Sequence, residues 1–521
     1  MKARPKKTKP QRKPQLLSVV TGDKPQGQFL DEPWLTFGGN GSHVDPKYGL
    51  SLYGPSTLED QPTPTVQTLK VGIVGDGESI TASKMWFARW QGRIPGKPNR
   101  PRLFPDFPGF QEAFDCSIQM STGWEQLLLD EEVRAITKLP AFQQRVDGAV
   151  ALFKKGLGNL VDLNPRPDVA VCAIPDALLE PCGISRGGTE QVQLSSEEKR
   201  LARTIRENQG VGQQFLVPFD DDFLTVLLDH EGKGEFYKRL KIAAMSIPLP
   251  IQVAKTSAFT GSTGTQDDAT RAWNMAVAMY HKGGGYPWHL SKAHAGTCYV
   301  GVSFYKDRDS NLRTSVAQLF THTGLGLVLR GDKIQWEGDA DRTPHLAEGD
   351  AKKLLSRVLK LYETHMKTPP SRLVVHKSSR FWVEELRGFR EASRGIQVVD
   401  LVAFGSRGIR AFRQGTRPPL RGTVVRLSPK NYLVYTLGYV PFLKCYPGPR
   451  IPRPVEVIEH HGSSPMETVC RDILDLTKLN WNNANYASGM PITLALSDRV
   501  GEVVSELKDT DAERPEYCYY M

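Results

Sequence analysis

The sequence predicts an α/β protein made of two successive layers of strands and helices, on three observations. Short apolar runs bounded by turn residues alternate with stretches of helical period, the pattern of parallel strands joined by helices. The pattern occurs twice, over 70–174 and again from 297 onward. Between the two stands a run of three glycines at 283–285, the natural place for a hinge.

Residues 16–69 are rich in Pro and Gly, and 31–40 (DEPWLTFGGN) and 43–55 (HVDPKYGLSLYGP) read as irregular structure with short edge strands. KVGIVG at 70–75 and DVAVCAI at 168–174 read as strands, with a helical pattern over 124–138 that stops short of Pro140. GDGES at 75–79 does not match GxGxxG, so a dinucleotide fingerprint is missing. Residues 183–215 are polar, and Ser195-Ser196-Glu197-Glu198 reads as the capping box of an exposed helix. A loop at 260–269 precedes an apolar helix over 271–281. The second layer opens with a strand at 297–305, followed by a meander through 315–320 and 326–330. An amphipathic helix at 351–366 carries Leu354, Leu355, Val358, Leu359 and Tyr362 on one face. A strand at 372–376 and a helix at 381–391 follow.

The length of 521 residues exceeds one simple core and predicts two to four domains. With 39% hydrophobic and 24% charged residues, the composition excludes wholesale disorder, collagen and coiled coil. No apolar run approaches the roughly 18 residues needed to span a bilayer. Seven cysteines without a CxxC pair argue against a disulfide framework or zinc cage and make a reducing cytosol the default compartment. HExxH does not occur, which leaves a metal-hydrolase reading without support.

The net charge of +10 is unevenly placed. Residues 1–15 hold seven Lys or Arg and no acid, a composition that predicts disorder. Residues 401–455 hold ten basic residues, among them Arg407, Arg410, Arg421 and Arg450, and again no acid. Aromatics such as Phe404, Tyr435 and Phe442 are interleaved with them. Cations and rings on ordered backbone suit a polyanion channel, with arginines on phosphates and rings under bases. A plain basic face, or arginines paired with acids from elsewhere, is the alternative.

Several stretches in the second half resemble the PIWI domain of Argonaute proteins, which has an RNase H-like fold. They are CYVGVSFY (298–305), RLVVHKSSRFWVEEL (372–386), LRGT (420–423), LVYTLGYVPFLKCYPGPRIPRPVEV (433–457), LTKLNWNN (476–483) and MPITL (490–494). FYKRLK (236–241), PIQ (250–252) and WNMAVAMYHKGGG (273–285) resemble a MID domain, which is Rossmann-like. EPWLTFG with HVDPKYGLSLYGP looks like the entry segment of short prokaryotic Argonautes, and no PAZ domain fits before Lys70. The resemblance implies a basic tail and irregular segment over 1–69, a MID domain over 70–286 and a PIWI domain over 287–521.

In MID domains a Tyr, a Lys four residues on, a Gln and a later Lys hold the guide's 5′ phosphate; the matching positions are Tyr237, Lys241, Gln252 and Lys282. On spacing alone, Tyr237 and Lys241 are simply one helical turn apart. The family's second helix lysine falls on Ala278, so Arg239 is the expected replacement. Gln252 and the terminal carboxylate of Met521 are the expected holders of a Mg²⁺ ion at the guide 5′ end. Catalytic PIWI domains cut with two metal ions held by carboxylates. Here the first acid falls on Ser303 and the later one at His376–Lys377, with Lys377 the better match. A serine and a lysine cannot hold two Mg²⁺ ions, so slicing is expected to be absent. Relocated carboxylates, with Asp307, Asp309 or Glu348 as substitutes, are the nuclease alternative. Lys377, Arg380, Arg407, Arg410, Arg421, Arg450, Asn480 and Asn482 are expected to track the guide and target backbones.

The resemblance also implies a small guide RNA, a single-stranded DNA target, and a cytoplasmic prokaryotic setting. The implied partner is an APAZ-containing effector with a TIR or sirtuin-like NAD-degrading domain, or less readily a nuclease. NAD would be handled by that partner and not by this chain, and activation would lead to a higher oligomer.

Overall fold

The structure is a computed structural model describing residues 26–57, 66–184, 235–261, 266–306, 312–321, 324–332, 345–405, 408–411, 414–448, 451–505, 507 and 513–521. The basic tail, the capping box at 195–198, Asp307, Asp309, Arg407 and Arg450 lie outside the described residues.

The segment expected to be irregular opens with β1 (Gln26–Phe29), β2 (Leu35–Thr36) and β3 (Ser42–His43), then a helix, Pro46–Tyr53. The Asp45 carboxylate caps that helix, accepting from Lys47 N at 2.9 Å and Tyr48 N at 3.2 Å. Pro46 takes the first helical position, where a missing N–H leaves nothing unpaired. The short strands expected here are present as β2 and β3, and the expectation of irregular chain is corrected over 46–53, where Pro and Gly begin and end a helix.

Four strands, β4 (Thr68–Gly75), β5 (Ser117–Leu127), β6 (Val169–Ile174) and β7 (Ile251–Lys255), form an all-parallel sheet in the order β5-β4-β6-β7. Central β6 is buried along its whole length, as a continuous apolar run in a parallel sheet should be. The helical pattern assigned to 124–138 is corrected: β5 continues to Leu127 and the helix is Asp130–Thr137. Three consecutive acids, Asp130, Glu131 and Glu132, favour starting the helix there, against its positive end. GDGES proves to be a helix start, with Asp76 capping the helix Gly77–Arg89 through Ser79 N at 2.9 Å.

After β8 (His289–Leu290), which joins β2 and β3 in a small sheet, comes the second large layer. It contains β9 (Thr297–Lys306), β10 (Leu312–Thr321), β11 (Gly326–Leu329), β12 (Arg372–Lys377) and β13 (Val398–Gly405). It is completed by β14 (Thr423–Arg426), β15 (Tyr432–Val434) and β16 (Val455–Gly462). With β1 they make nine strands in the order β1-β14-β15-β16-β13-β12-β9-β10-β11. β12 runs parallel to both β9 and β13, and the remaining pairs are antiparallel.

One face of this sheet, with Val300, Val302, Leu373, Val375 and Leu401, packs under the helices Glu348–Met366 and Val383–Ala392. The opposite face meets the short helix Ile492–Ala495 at Gly301, where a Cβ would overlap the Thr493 carbonyl oxygen. Gly301→Ala is therefore expected to cost about 1–3 kcal/mol of stability, read as a lower midpoint in urea unfolding. A single apolar cluster runs from Leu30 and Leu35 through Leu69, Val71 and Trp273 to Tyr299 and Val374, so entry segment and both layers share a core. Among the described residues, no helix is long and apolar enough to cross a membrane.

Candidate nucleic-acid interface

Four of the residues singled out in the sequence converge at the open end of the parallel sheet. The helix Glu235–Met245 carries Tyr237 and Lys241 one turn apart, and the Lys241 ammonium lies 5.6 Å from the Tyr237 ring centroid. Lys241 is 1% exposed and donates to the Ile251 carbonyl at 3.1 Å and to the Met521 carbonyl. Lys282 closes the helix Asp268–Lys282, is 4% exposed, and donates to Gln252 Oε1 on β7 at 2.7 Å. Tyr237 remains 38% exposed and so walls the outer side.

Burial pushes the Lys241 ammonium down to about 8, and burial followed by the charge of Lys241 holds Lys282 well below the ordinary lysine range. The nearby thiols of Cys172 and Cys518 are pushed up by burial, to about 12 and about 11, and stay neutral. Among the described residues neither lysine pairs with an Asp or Glu side chain, and Lys241 meets the main-chain oxygen of Met521, the last residue. Two buried cations without an Asp or Glu partner form a seat for a multiply charged anion.

The Gln252 amide oxygen and the Met521 main-chain oxygen, where a Mg²⁺ ion is expected, each accept from an ammonium in this structure. Arg239 does not complete the pocket, because Asp147 at 2.5 Å and Glu235 hold its guanidinium.

The large sheet corrects a second expectation. Lys377 lies opposite Val302 of β9 and Ala403 of β13, and so shares their face, under the helices. It is fully buried, with its ammonium 2.8 Å from Glu385 and 2.9 Å from the Arg380 carbonyl. Glu385 also accepts from Leu346 N and Trp382 N at 2.8 and 2.9 Å. Lys377 is thus an internal ion pair, closed to any nucleic-acid backbone. Ser303 stands one residue further along β9, on the opposite face, so Ser303 and Lys377 do not converge. Extending the β9–β12 register by one residue sets Ser378 opposite Ser303. Ser378 was missed, although alternation alone could have found it, since a partner of Ser303 must share the parity of Val374 and His376.

Among the described residues no group of three or more His, Cys, Asp or Glu side chains is placed to hold a metal. Glu348 begins a surface helix and pairs with Arg387 at 2.9 Å.

The acid-free stretch divides in two. Arg421 is 2% exposed and belongs to a buried network: its Nε donates to Glu32 at 2.8 and 3.0 Å, and its Nη atoms reach the Thr436 carbonyl and Thr477 Oγ1. Lys478 meets the same Glu32 at 2.7 Å. The alternative of arginines paired with acids from elsewhere therefore holds for Arg421, which is corrected as a backbone contact. Arg380 is half exposed and paired with Glu459 at 2.5 Å, and Arg410 is half-buried. Arg417 is exposed over the Tyr439 ring, 4.4 Å from its centroid. Asn480 and Asn482 lie on one loop, where Asn480 Oδ1 accepts from Asn482 N at 3.1 Å.

No family model matches the chain. The Argonaute protein of Aquifex aeolicus (strain VF5) is 23% identical over 235 residues, 44% of this chain and 31% of that protein. Clostridium butyricum Argonaute, solved with a guide DNA and a 19-mer target DNA, superposes with TM-score 0.56 at 14% identity, over 92% of this chain and 53% of that one. The A. aeolicus Argonaute structure gives 0.54 at 14% identity, over 96% and 56%. Drosophila Piwi gives 0.53 at 11%, over 95% and 56%. The chain spans about half the length of these structures and about a third of the curated relative. A parallel sheet ending in a two-lysine pocket, followed by a nine-stranded layer with β9 and β12 side by side, has the MID–PIWI architecture of Argonaute proteins.

Proposed function

We propose that this chain is a guide-loaded, non-slicing Argonaute of the short kind. It seats the 5′ phosphate of a small guide RNA between Lys241 and Lys282, with Tyr237 beside the first base. The guide pairs with complementary single-stranded DNA of plasmid or phage, base pairing supplying the specificity. Target capture then activates an APAZ-containing effector partner, whose TIR or sirtuin-like domain depletes NAD in abortive infection. The observation that carries the reading is the buried lysine pair without an Asp or Glu partner, which a 5′ phosphate would neutralise. The effector step follows from the sequence resemblance alone.

Absence of slicing is supported by serines at 303 and 378, which offer no anionic oxygens for a two-metal mechanism. The test is incubation with 5′-phosphorylated guide RNA, complementary DNA, and Mg²⁺ or Mn²⁺. The target is expected to be retained uncut. Guide-dependent cleavage that disappears in Asp307→Ala or Glu348→Ala would establish the nuclease alternative instead. For the effector, the complex with its partner should consume NAD only when guide and target are both present. DNA degradation with NAD intact would point to a nuclease partner.

Guide affinity should also depend on pH. The free protein loses the Lys241 charge as pH rises through about 8, while a bound phosphate favours the charged form. Loading above pH 8 therefore requires proton uptake, and affinity should fall roughly tenfold per unit between pH 8 and 10. A flat profile for a 5′-phosphorylated guide over that range would remove the lysine pair from the binding step.

A further inference from the structure

The loop between the helices Gly77–Arg89 and Phe110–Phe114 is basic, with Arg93, Lys97, Arg100 and Arg102 against the lone acid Asp106. It folds onto two distant parts of the chain. Arg102 donates to the Phe442 carbonyl at 2.8 Å and its guanidinium lies 5.8 Å from the Phe442 ring centroid. From the entry segment, Tyr48 donates to the Pro101 carbonyl at 3.3 Å and Lys47 to the Leu103 carbonyl at 2.9 Å.

Three rings meet at this junction. His43 stacks on Tyr48 with centroids 5.7 Å apart, and Phe442 stands edge-on to both, at 5.1 and 5.3 Å. All three are partly exposed. Beside Phe442, Lys444 is exposed in the left-handed region (φ 55°), in a turn closed by its own N–H to the Pro441 carbonyl at 3.1 Å. Arg93 is neutralised by Asp106, and Lys97 lies 3.5 Å from Asp267. Arg100, Arg102 and Lys444 are exposed and have no carboxylate ion pair among the described residues. Arg100 and Arg102 of the loop and Lys444 of the acid-free stretch, far apart in sequence, thus face solvent beside one aromatic cluster.

We infer that this three-part surface binds single-stranded nucleic acid outside the 5′-phosphate pocket, with Arg100, Arg102 and Lys444 on phosphates and the Tyr48–Phe442 edge against a base. Cations flanking rings are what a sequence-tolerant single-strand contact needs. The inference extends the guide-and-target reading but does not depend on the pocket being occupied.

The test uses the full chain and a 30-nucleotide single-stranded DNA with a 5′ hydroxyl, measured by fluorescence anisotropy across salt. Arg100→Glu/Lys444→Glu should weaken binding at least tenfold and lower the salt slope by about 1.4, two phosphate contacts at about 0.7 each. The same variant should keep the wild-type ratio of affinities for 5′-phosphorylated and 5′-hydroxyl guides. Lys154→Glu/Lys367→Glu changes the net charge equally at exposed sites elsewhere, and should leave binding near wild type. Unchanged affinity and slope in a folded Arg100→Glu/Lys444→Glu variant would overturn the inference, as would an equal loss in the control. A wild-type protein blind to the 5′ phosphate would instead count against the pocket reading alone.

Discussion

Replacing Lys241 and Lys282 together by alanine is expected to lower affinity for a 5′-phosphorylated guide by about 100-fold or more, and affinity for a 5′-hydroxyl guide by far less. The magnitude follows from removing two charge-assisted contacts at about 1.5–3 kcal/mol each. Both ammonium groups are buried without an Asp or Glu partner, and burial, with the Lys241 charge acting on Lys282, favours their neutral forms. Their removal should therefore not unfold the protein, and the double variant should melt at or above the wild-type temperature. That pairing of outcomes separates a ligand seat from a structural pair. If both guides lose affinity equally, the lysines serve the channel at large. Gln252→Ala should have a smaller effect of the same sign, because the amide positions Lys282 through one 2.7 Å hydrogen bond.

Arg421→Ala should do the opposite, destabilising the fold by about 3–5 kcal/mol while leaving the salt dependence of nucleic-acid binding unchanged. Burial raises the Glu32 carboxyl, but the charges of Arg421 and Lys478 outweigh it, so Glu32 stays ionised inside the protein. Lys478, pushed by burial down to about 8, is a poor sole partner. Arg421→Lys should recover only part of the loss, because an ammonium cannot reach Glu32, the Thr436 carbonyl and Thr477 together as the guanidinium fork does. Urea unfolding and a salt titration of oligonucleotide binding decide the matter. A reduced salt slope with unchanged stability would return Arg421 to the interface.

What was legible in the sequence follows from the range of each signal. Parallel strands β4 and β6 are short, uniformly apolar runs between turns, and local pattern suffices to find them. The pocket residues Tyr237, Lys241, Gln252 and Lys282 were found by family motif and not by spacing, which by itself said only that two residues share a helix face. The errors share a cause. Whether Arg421 faces solvent is decided by Glu32, which no local window contains, and Arg239 is held by distant Asp147 as well as by Glu235 one turn before it. Lys377 was misplaced by one residue, and in a strand a slip of one reverses the face. The entry segment was misread because Pro46 and Gly54, taken as signs of irregular chain, begin and end a helix.

The ladder between β1 and β14 has a consequence for synthesis. Glu32, just after β1, and Arg421, just before β14, are 389 residues apart in the chain. At roughly 5–20 residues per second, β1 waits about 20–80 seconds for its neighbour β14 to be made. Throughout that interval Leu30, whose N–H bonds the Gly422 carbonyl at 2.9 Å, lacks that partner. Nascent chains stalled before residue 420 should therefore present an unpaired β1 edge, and synthesis of Thr423–Arg426 is the step that covers it.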